Sequence, residues 1–297
     1  MKRGVLVGGG RDDLSLVCLV AAAERAGVPV VPVLVTAAAE PLLAWDFASG
    51  TLTLDGVPLD PVGAFLRYDV FTPRTPGAML DRALGWYGAL LGWAAARETT
   101  RLFNRELSPQ AGLKPYQLAV ARAEGLAIPA TWIGNDLAAL RDRAGKAMIA
   151  KPVGGGAYTQ PLERALADHD AAASAAPIPA IVQERLDYPE YRVFIVGDDT
   201  HVFQVASDQL DYRPDHAATL VYHGATGPIA EAVAGCRRVA AALRCDFAAC
   251  DLKTRPGDGV PVFLEINTGP MFAAFDRAAD GAVTASIIDA LAGKAVD

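Results

Sequence analysis

A strand near the end of the chain carries two oxygen-bearing side chains that a purely structural strand does not need. The stretch VFLEIN covers residues 262–267, and Glu265 and Asn267 are two residues apart. Because strand side chains alternate, these two share one face while Leu264 and Ile266 point to the other. The pattern fits either a polar face in contact with water or a binding site for a cation.

The segment before this strand places a second carboxylate on the same face. FAACDLKT and VFLEIN are separated by a turn sequence, PGDG, which predicts a hairpin. A hairpin folded about Asp258 sets Asp251 opposite Glu265, and opposed residues share a face. The other face is then apolar and is formed by Cys250, Leu252, Leu264 and Ile266.

Two carboxylates this close repel one another unless a cation lies between them. Mg²⁺ takes oxygen ligands, commonly one or two carboxylates together with nucleotide phosphates. Asp251, Glu265 and Asn267 are therefore a candidate site for Mg²⁺, with Mn²⁺ as a second possible metal. The alternative is a solvated sheet face on which Lys253 is the counter-charge.

A lysine ahead of a glycine run offers a second kind of chemistry. Lys151 ends the apolar part of KAMIAKPV and precedes Gly154, Gly155 and Gly156. Backbone N–H groups of a glycine loop can close over phosphates, and a lysine beside the loop supplies positive charge. The G-K-[ST] signature of a Walker loop is absent. A surface lysine before a flexible loop is the alternative.

The stretch IVQERLDYPEYRVFIV contains a charged break between two apolar strands. The first strand stops at Gln183 and Glu184, and apolar character resumes after Arg192. Such a hinge can present backbone groups to the edge of a base and a carboxylate to ribose hydroxyls. An ordinary charged loop has the same composition, so the stretch alone does not distinguish a nucleotide-binding hinge from such a loop.

The elements that must position these residues predict an α/β chain. RGVLVGGG, DDLSLVCLVAAAERAG and VPVVPVLV are typical of strand, helix and strand, and hence of a parallel sheet covered by helices. The glycines of the first strand predict a tight turn rather than a dinucleotide fingerprint, because RDD follows where pyrophosphate would lie. Later stretches predict a strand at 63–71, a helix ending at Gly125 and an α+β C-terminal part.

Composition places the chain among globular enzymes. It has 297 residues, 52% of them hydrophobic, which is enough for more than one lobe. A net charge of −7 without a concentrated basic surface argues against nucleic acid as a partner. The four cysteines lack the spacing of a zinc site, and no signal peptide or membrane span is recognisable. We therefore expect a cytoplasmic protein with free thiols and no membrane partner.

The ordered set of motifs resembles the ATP-grasp ligases. Lysine and glycine loop, Q-E hinge, E-x-R strand, aspartate and E-x-N follow one another over about residues 100–292. Within that superfamily the chain looks most like the branch of the ribosomal-protein glutamate ligase, glutathione synthetase and the microviridin-type (graspetide) peptide ligases. The stretch NRELSPQAGLKPYQLAVARAEGLAIPATWIGND at 104–136 is particularly similar to the last group.

The resemblance implies an ATP-grasp fold in three parts. An N-terminal parallel α/β lobe at 1–103 would precede a central subdomain with the glycine-rich loop at 104–180. A C-terminal subdomain at 181–297 would carry the metal site. The two later parts, both α+β, are expected to clamp ATP between them.

The resemblance also implies a role for each matching residue. Contact with ATP phosphates is implied for Lys114, Lys151, Gly154, Gly155 and Gly156, and backbone contact with adenine for Glu184, Arg185 and Leu186. Glu190 would contact the ribose, Arg192 would orient that strand, and Arg213 would contact the γ-phosphate and the acyl-phosphate. The implied ligands of Mg²⁺ are Asp251, Glu265 and Asn267. Lys151 and Arg213 would be the catalytic residues.

These roles imply an ADP-forming ligase that joins a carboxylate to an amine through an acyl-phosphate, with ester formation as an alternative. The substrates would be amino acids or peptides, in peptide modification or natural-product biosynthesis. A kinase that stops at phosphoryl transfer and a non-catalytic ATP-binding protein are the rival interpretations. Homo-oligomerisation stays open.

Substrate choice is expected to depend on two regions outside the motifs. Arg67, Tyr68 and Arg74 belong to the first lobe, and the other candidates, Met271 to Asp276, follow the candidate metal strand within the segment Thr268–Asp276, whose own role stays open. For Arg67, pairing with a structural acid is an equally good interpretation.

Overall fold

The computed structural model describes residues 1–36, 41–70, 78–145, 147–154, 158–170, 172–207 and 218–293. The chain forms two compact units. The first unit contains Met1–Glu106, Val196–Asp199 and Gly269–Asp297, and the second contains Leu107–Ile195 and Thr200–Thr268. The three-part division at 103 and 180 stays a prediction.

Helices and strands alternate along much of the chain. The strands are β1 (Lys2–Gly10), β2 (Val30–Val35), β3 (Leu43–Asp46), β4 (Thr51–Leu54), β5 (Val57–Leu66), β6 (Arg101–Leu102), β7 (Thr131–Asp136), β8 (Met148–Pro152), β9 (Gln160–Pro161), β10 (Ala175–Glu184), β11 (Asp187–Val196), β12 (Asp199–Ala206), β13 (Thr219–His223), β14 (Phe247–Thr254) and β15 (Pro261–Asn267). The helices are α1 (Leu14–Arg25), α2 (Ala78–Ala95), α3 (Lys114–Ala123), α4 (Leu137–Arg143), α5 (Leu162–Ala167), α6 (Pro228–Ala242), α7 (Ala273–Ala278) and α8 (Ala282–Ala292). Among the described residues, no helix is both long enough and apolar enough to cross a membrane.

The first unit is built on a sheet in the order β2-β1-β5-β4-β3, with β6 paired to β5. Strand β1 runs parallel to β2 and β5, which confirms the parallel sheet predicted from the strand–helix–strand pattern. The antiparallel β3–β4 hairpin was not predicted, because its two strands have only four residues each, too few for their alternation to stand out in the sequence. Strand β5 ends at Leu66, so the predicted strand at 63–71 was wrong about its C-terminal end.

The predicted glycine turn was also wrong by a few residues. Gly8, Gly9 and Gly10 are the last residues of β1, and the turn follows at 11–12. Their lack of a side chain allows close packing, since a Cβ atom on Gly9 would lie 2.9 Å from the Arg67 carbonyl oxygen. The Asp13 side chain then caps α1 by accepting a hydrogen bond from the Ser15 amide.

The second unit contains two sheets. A four-stranded sheet has the order β7-β10-β8-β9, and its pairings β10–β7, β10–β8 and β8–β9 are antiparallel. One face of this sheet packs on α4 and α5 through a buried cluster of Leu137, Leu140, Ala150, Leu162 and Val182. A five-stranded sheet has the order β13-β12-β11-β14-β15 and packs on α3 and α6.

The β14–β15 hairpin has the predicted register at its chemically important end. Asp251 lies opposite Glu265, and Ala249 lies opposite Asn267. A bulge after Asp251 then shifts the pairing, so that Leu252 faces Phe263. Phe263, which is fully buried, therefore fills the core position predicted for Leu264.

Candidate nucleotide and metal site

Three side chains on one face of the β14–β15 hairpin form the oxygen cluster predicted from the sequence. Asp251 and Glu265 are cross-strand partners, and Asn267 is two residues beyond Glu265. The Asn267 Nδ2 atom donates to Asp251 Oδ2 at 3.2 Å. Asp251 is only 8% exposed, so its charge must be compensated inside the protein.

Two cations compensate the cluster. Arg192, on the neighbouring strand β11, donates from Nη1 to both carboxylate oxygens of Asp251, at 2.9 and 3.1 Å. Lys114, the first residue of α3, places Nζ 3.1 Å from Glu265 Oε2. The structure thus brings together Lys114, which is far away in sequence, and the predicted metal ligands.

The donor set fits a hard divalent cation. Two carboxylates and an amide on one face are ligands of the kind that Mg²⁺ uses alongside nucleotide phosphates. The described residues contain no group of three or more His, Cys, Asp or Glu side chains arranged for a metal ion. A magnesium site here therefore needs the amide of Asn267 and oxygen atoms from a bound nucleotide to complete it.

A second buried ion pair lies on the same sheet. Lys253 Nζ is 3.1 Å from Glu190 Oε2, and it also lies 4.7 Å from the centre of the Tyr188 ring. Burial raises the pKa of Glu190 to about 7, and the nearby Asp251 charge adds to this, while Lys253 acts in the opposite direction. Lys253 is thus the partner of Glu190, whereas the sequence suggested it as counter-charge for the oxygen cluster.

The predicted hinge is hydrogen-bonded to the residues that directly precede β7 and β8 of the four-stranded sheet. Glu184 Oε1 accepts a hydrogen bond from the Ala130 amide at 2.9 Å. The amides of Glu184 and Arg185 donate to the carbonyl oxygens of Ala130 and Ala147. Three residues, Glu184 to Leu186, were predicted to meet adenine through the backbone, and the amides of the first two already have acceptors within the protein. The prediction for this segment is thereby narrowed to its carbonyl groups and to the amide of Leu186.

Lys151 lies on the face of the four-stranded sheet that is turned away from α4 and α5. It pairs in register with Ile181 of β10, whereas the adjacent Ala150 and Val182 pack against these helices. Lys151 is half-buried, and Gly154 follows it. Gly155, Gly156 and Arg213 lie outside the described residues, so their roles stay predictions.

One side chain that positions the candidate site was missed in the sequence. The buried side chain of Gln117 donates to the Ala111 carbonyl at 2.6 Å and to the Ile266 carbonyl at 2.8 Å. Its Oε1 atom accepts from the Ile266 amide at 3.2 Å. Gln117 therefore holds α3 against the backbone between Glu265 and Asn267. A glutamine on the apolar face of an amphipathic helix was the available signal.

In the first unit, the structure supports the structural interpretation of Arg67. Its Nε atom donates to Asp13 at 2.6 Å, and its Nη1 atom donates to the carbonyl oxygens of Gly269 and Pro270 at 3.0 and 2.6 Å. The side chain therefore anchors the start of the segment after Thr268. Arg74 lies outside the described residues.

Comparison of the whole chain with solved structures identifies its fold. No family model matches the sequence, and no curated protein matches it significantly. The chain matches the ATP-grasp ligase PsnB complexed with a phosphomimetic variant of its minimal precursor, Mg and ADP, at 22% identity with a TM-score of 0.75, over 99% of both chains. The structure is therefore an ATP-grasp ligase fold, as the resemblance implied.

Two further structures share this similarity. A RiPP-associated ATP-grasp ligase of Chryseobacterium gregarium, in complex with ADP and a leader and core peptide, matches at 19% identity with a TM-score of 0.73, over 99% of this chain and 98% of that one. The VanG D-Ala:D-Ser ligase of Enterococcus faecalis matches at 15% identity with a TM-score of 0.62, over 98% of each chain.

Proposed function

We propose that the protein is an ATP-dependent, ADP-forming ligase that joins a peptide carboxylate to an amine. The observation that carries this proposal is the compensated carboxylate pair, Asp251 and Glu265, within an ATP-grasp fold. A protein that only binds nucleotides has no need of two carboxylates on one face, one buried and one half-buried, that are each paired with a cation.

Magnesium and nucleotide would be held by this cluster and by the opposite sheet. Asp251, Glu265 and Asn267 would hold the ion, which when bound shields the charge of the phosphates during transfer. Lys114 and Lys151 would bind phosphate oxygens. In this structure Lys114 pairs with Glu265. Nucleotide binding would therefore replace the Glu265 carboxylate with a phosphate as the anionic partner of Lys114.

The expected reaction has two steps. The substrate carboxylate attacks the γ-phosphorus, the bond to the β,γ-bridging oxygen breaks, and ADP leaves with the electron pair. The amine then attacks the acyl-phosphate, inorganic phosphate leaves, and the amine loses its proton. Lys151 and Arg213 would stabilise the negative charge that develops in both steps, a contribution that is usually the largest in such sites.

A peptide substrate is favoured over a free amino acid by the neighbours. PsnB was solved with its precursor and the Chryseobacterium enzyme with a leader and core peptide, and both match with higher TM-scores than VanG does. Amide formation is proposed ahead of ester formation because the chain resembles amide-forming relatives over its motifs. The kinase remains the rival that shares all nucleotide contacts.

Trapping of the acyl-phosphate tests the proposal. The protein is incubated with ATP, Mg²⁺ and candidate carboxyl-rich peptides, and products are followed by mass spectrometry. Hydroxylamine should convert an acyl-phosphate into a hydroxamate, and an amine should give a product lighter by one water than its two substrates. A phosphorylated product that accumulates and resists hydroxylamine would identify a kinase instead.

Arg213→Ala provides the matching variant. It should bind ATP nearly as the wild type does, yet form product on the order of a hundredfold more slowly, because a donor to the transition state is lost. Arg164→Ala, which changes an exposed arginine on α5, is the control and should leave turnover unchanged.

A further inference from the structure

Lys114 and Glu265 are paired with each other, although the proposed function gives each of them a different partner. Lys114 Nζ lies 3.1 Å from Glu265 Oε2, and both side chains are partly buried, with 23% and 21% of their surface exposed. Lys114 is proposed to bind phosphate, and Glu265 is proposed to bind the metal ion. Each proposed role therefore competes with the ion pair that the two residues form.

The backbone of α3 is fixed to the strand that carries Glu265. Lys114 and Gln117 are three residues apart and lie on one side of the helix. Gln117 donates to the Ile266 carbonyl at 2.8 Å and accepts from the Ile266 amide at 3.2 Å. Strand β15 is an edge strand, so this amide takes the place of a neighbouring strand. Any movement of the ammonium away from Glu265 is therefore a movement of the flexible Lys114 side chain, without a shift of the helix.

The second carboxylate of the cluster is held more firmly. Asp251 accepts two hydrogen bonds from Arg192 Nη1, at 2.9 and 3.1 Å, and one from Asn267 Nδ2 at 3.2 Å. The side chains of Asp251 and Arg192 are each only 11% exposed. Separating them would leave an uncompensated charge in the interior, so this pair is expected to persist when a ligand binds. The negative charge that the cluster can offer to a cation is therefore governed by the pair of Lys114 with Glu265.

We propose that Lys114 regulates the metal site, because its ammonium keeps the affinity of Glu265 for divalent cations low until nucleotide phosphates draw it away. This inference rests on the proposed function, which gives Lys114 a phosphate as its partner. An ammonium beside a carboxylate competes with a second cation there, since like charges in a partly buried site repel each other. The effect is reciprocal by linkage, so Glu265 also lowers the affinity of Lys114 for phosphate. Tight binding of a divalent cation then requires the nucleotide.

Binding of Mn²⁺ without nucleotide tests the effect of Lys114 on the metal site. Free Mn²⁺ is measured by electron paramagnetic resonance during titration of the full chain, so the measurement does not depend on turnover. Lys114→Met removes the ammonium and should bind Mn²⁺ about tenfold more tightly than the wild type. Adding Glu265→Gln should abolish this gain. Lys2→Met, on β1, changes the net charge by the same amount and is the control, which should bind Mn²⁺ as the wild type does.

Binding of ATP in the presence of a metal chelator tests the reciprocal effect of Glu265 on Lys114. Glu265→Gln takes away the carboxylate partner of Lys114, so calorimetry should show about fivefold tighter binding of metal-free ATP than in the wild type. Adding Lys114→Met should remove most of this gain, because the gain depends on the ammonium. A carboxylate that merely repelled the phosphates would give the same gain with and without Lys114.

Failure of this inference is distinguishable from failure of the proposed function. If Lys114→Met bound Mn²⁺ no more tightly than the wild type, Lys114 would not regulate the site, although the proposed function would stand while the wild type binds ATP with Mg²⁺. If the wild type did not bind ATP with Mg²⁺, both proposals would fall. Should Lys114→Met fail to fold, as judged by circular dichroism, metal-free ATP decides, since equal affinity in wild type and Glu265→Gln would overturn the inference.

Discussion

The two sheets of the second unit handle polar groups in different ways. The five-stranded sheet pairs its two buried acids with cations, Asp251 with Arg192 and Glu190 with Lys253. The face of the four-stranded sheet that is turned away from α4 and α5 instead carries a neutral amide, Gln183, and a half-buried lysine, Lys151. Buried ion pairs persist because removal of either partner leaves an uncompensated charge in the interior, whereas a buried neutral amide needs only a hydrogen bond.

This difference suggests that the two sheets would have different roles in the candidate site. Groups that hold a divalent ion need negative charge, and the five-stranded sheet carries carboxylates that are paired with cations. Groups that recognise a base need directional hydrogen bonds and little charge. The predictions below test whether the two sheets differ in this way.

The largest effect is expected from breaking a buried pair on the five-stranded sheet. Arg192→Met leaves Asp251, which is 8% exposed, without its guanidinium partner. The free energy of unfolding should fall by about 3–5 kcal/mol, measured by urea denaturation. Adding Asp251→Asn to this variant should restore much of the loss. If the double variant were no more stable than the single one, the pair would not be electrostatically coupled.

Glu265→Gln should separate function from stability on the same sheet. The change keeps the size of a side chain that is only partly buried, but removes a charge proposed to hold the metal. Product formation should fall on the order of a hundredfold or more, with the melting temperature close to that of the wild type. Glu231→Gln on α6 is the matched control at an exposed site. Normal turnover by Glu265→Gln at ordinary magnesium concentrations would contradict the metal assignment.

Glu190 should give the five-stranded sheet a characteristic pH dependence. Its pKa is raised from 4.5 to about 7 in the folded protein, chiefly by burial. Between these two values the unfolded chain loses this proton while the folded protein keeps it, so the free energy of unfolding decreases as pH rises. The decrease should be on the order of 1 kcal/mol per pH unit and should level off above about pH 7.

The control for this pH effect is Glu190→Gln, which cannot titrate. Its unfolding free energy, measured by denaturant titration from about pH 3.5 to about pH 8 (roughly one unit either side of the window), should lack this component. The difference in unfolding free energy between wild type and variant should therefore change between pH 4.5 and about pH 7, and the variant should become relatively more stable as pH rises. Parallel curves would show that burial does not shift the titration of Glu190.

The smallest effect is expected from Lys151 on the four-stranded sheet. Lys151→Met removes a proposed phosphate contact from a half-buried position, so the affinity for ATP with Mg²⁺ should fall by about tenfold. The increase in melting temperature caused by ATP should shrink accordingly, because stabilisation follows binding to the folded state. Equal increases in wild type and variant would remove Lys151 from the nucleotide site.

The sequence by itself determined the features that depend on neighbouring residues. Alternation along VFLEIN and the turn sequence PGDG together placed Asp251 opposite Glu265, because strand periodicity and a short turn leave few other registers. The order of strands and helices in the first hundred residues was readable for the same reason. The resemblance of the ordered motifs to those of the ATP-grasp ligases implied the fold that the solved structures then showed.

Only the tertiary structure decided which charges and amides meet. Arg192 reaches Asp251 across 59 residues, and Gln117 holds the backbone of Ile266 across 149. The bulge that moves Phe263 into the core, and the hydrogen bond that the Gln183 amide donates to the Thr131 hydroxyl, likewise depend on neighbours from other strands. Local patterns specify which face a side chain occupies, but a partner distant in sequence is chosen only when the elements pack and burial makes every unpaired polar group costly.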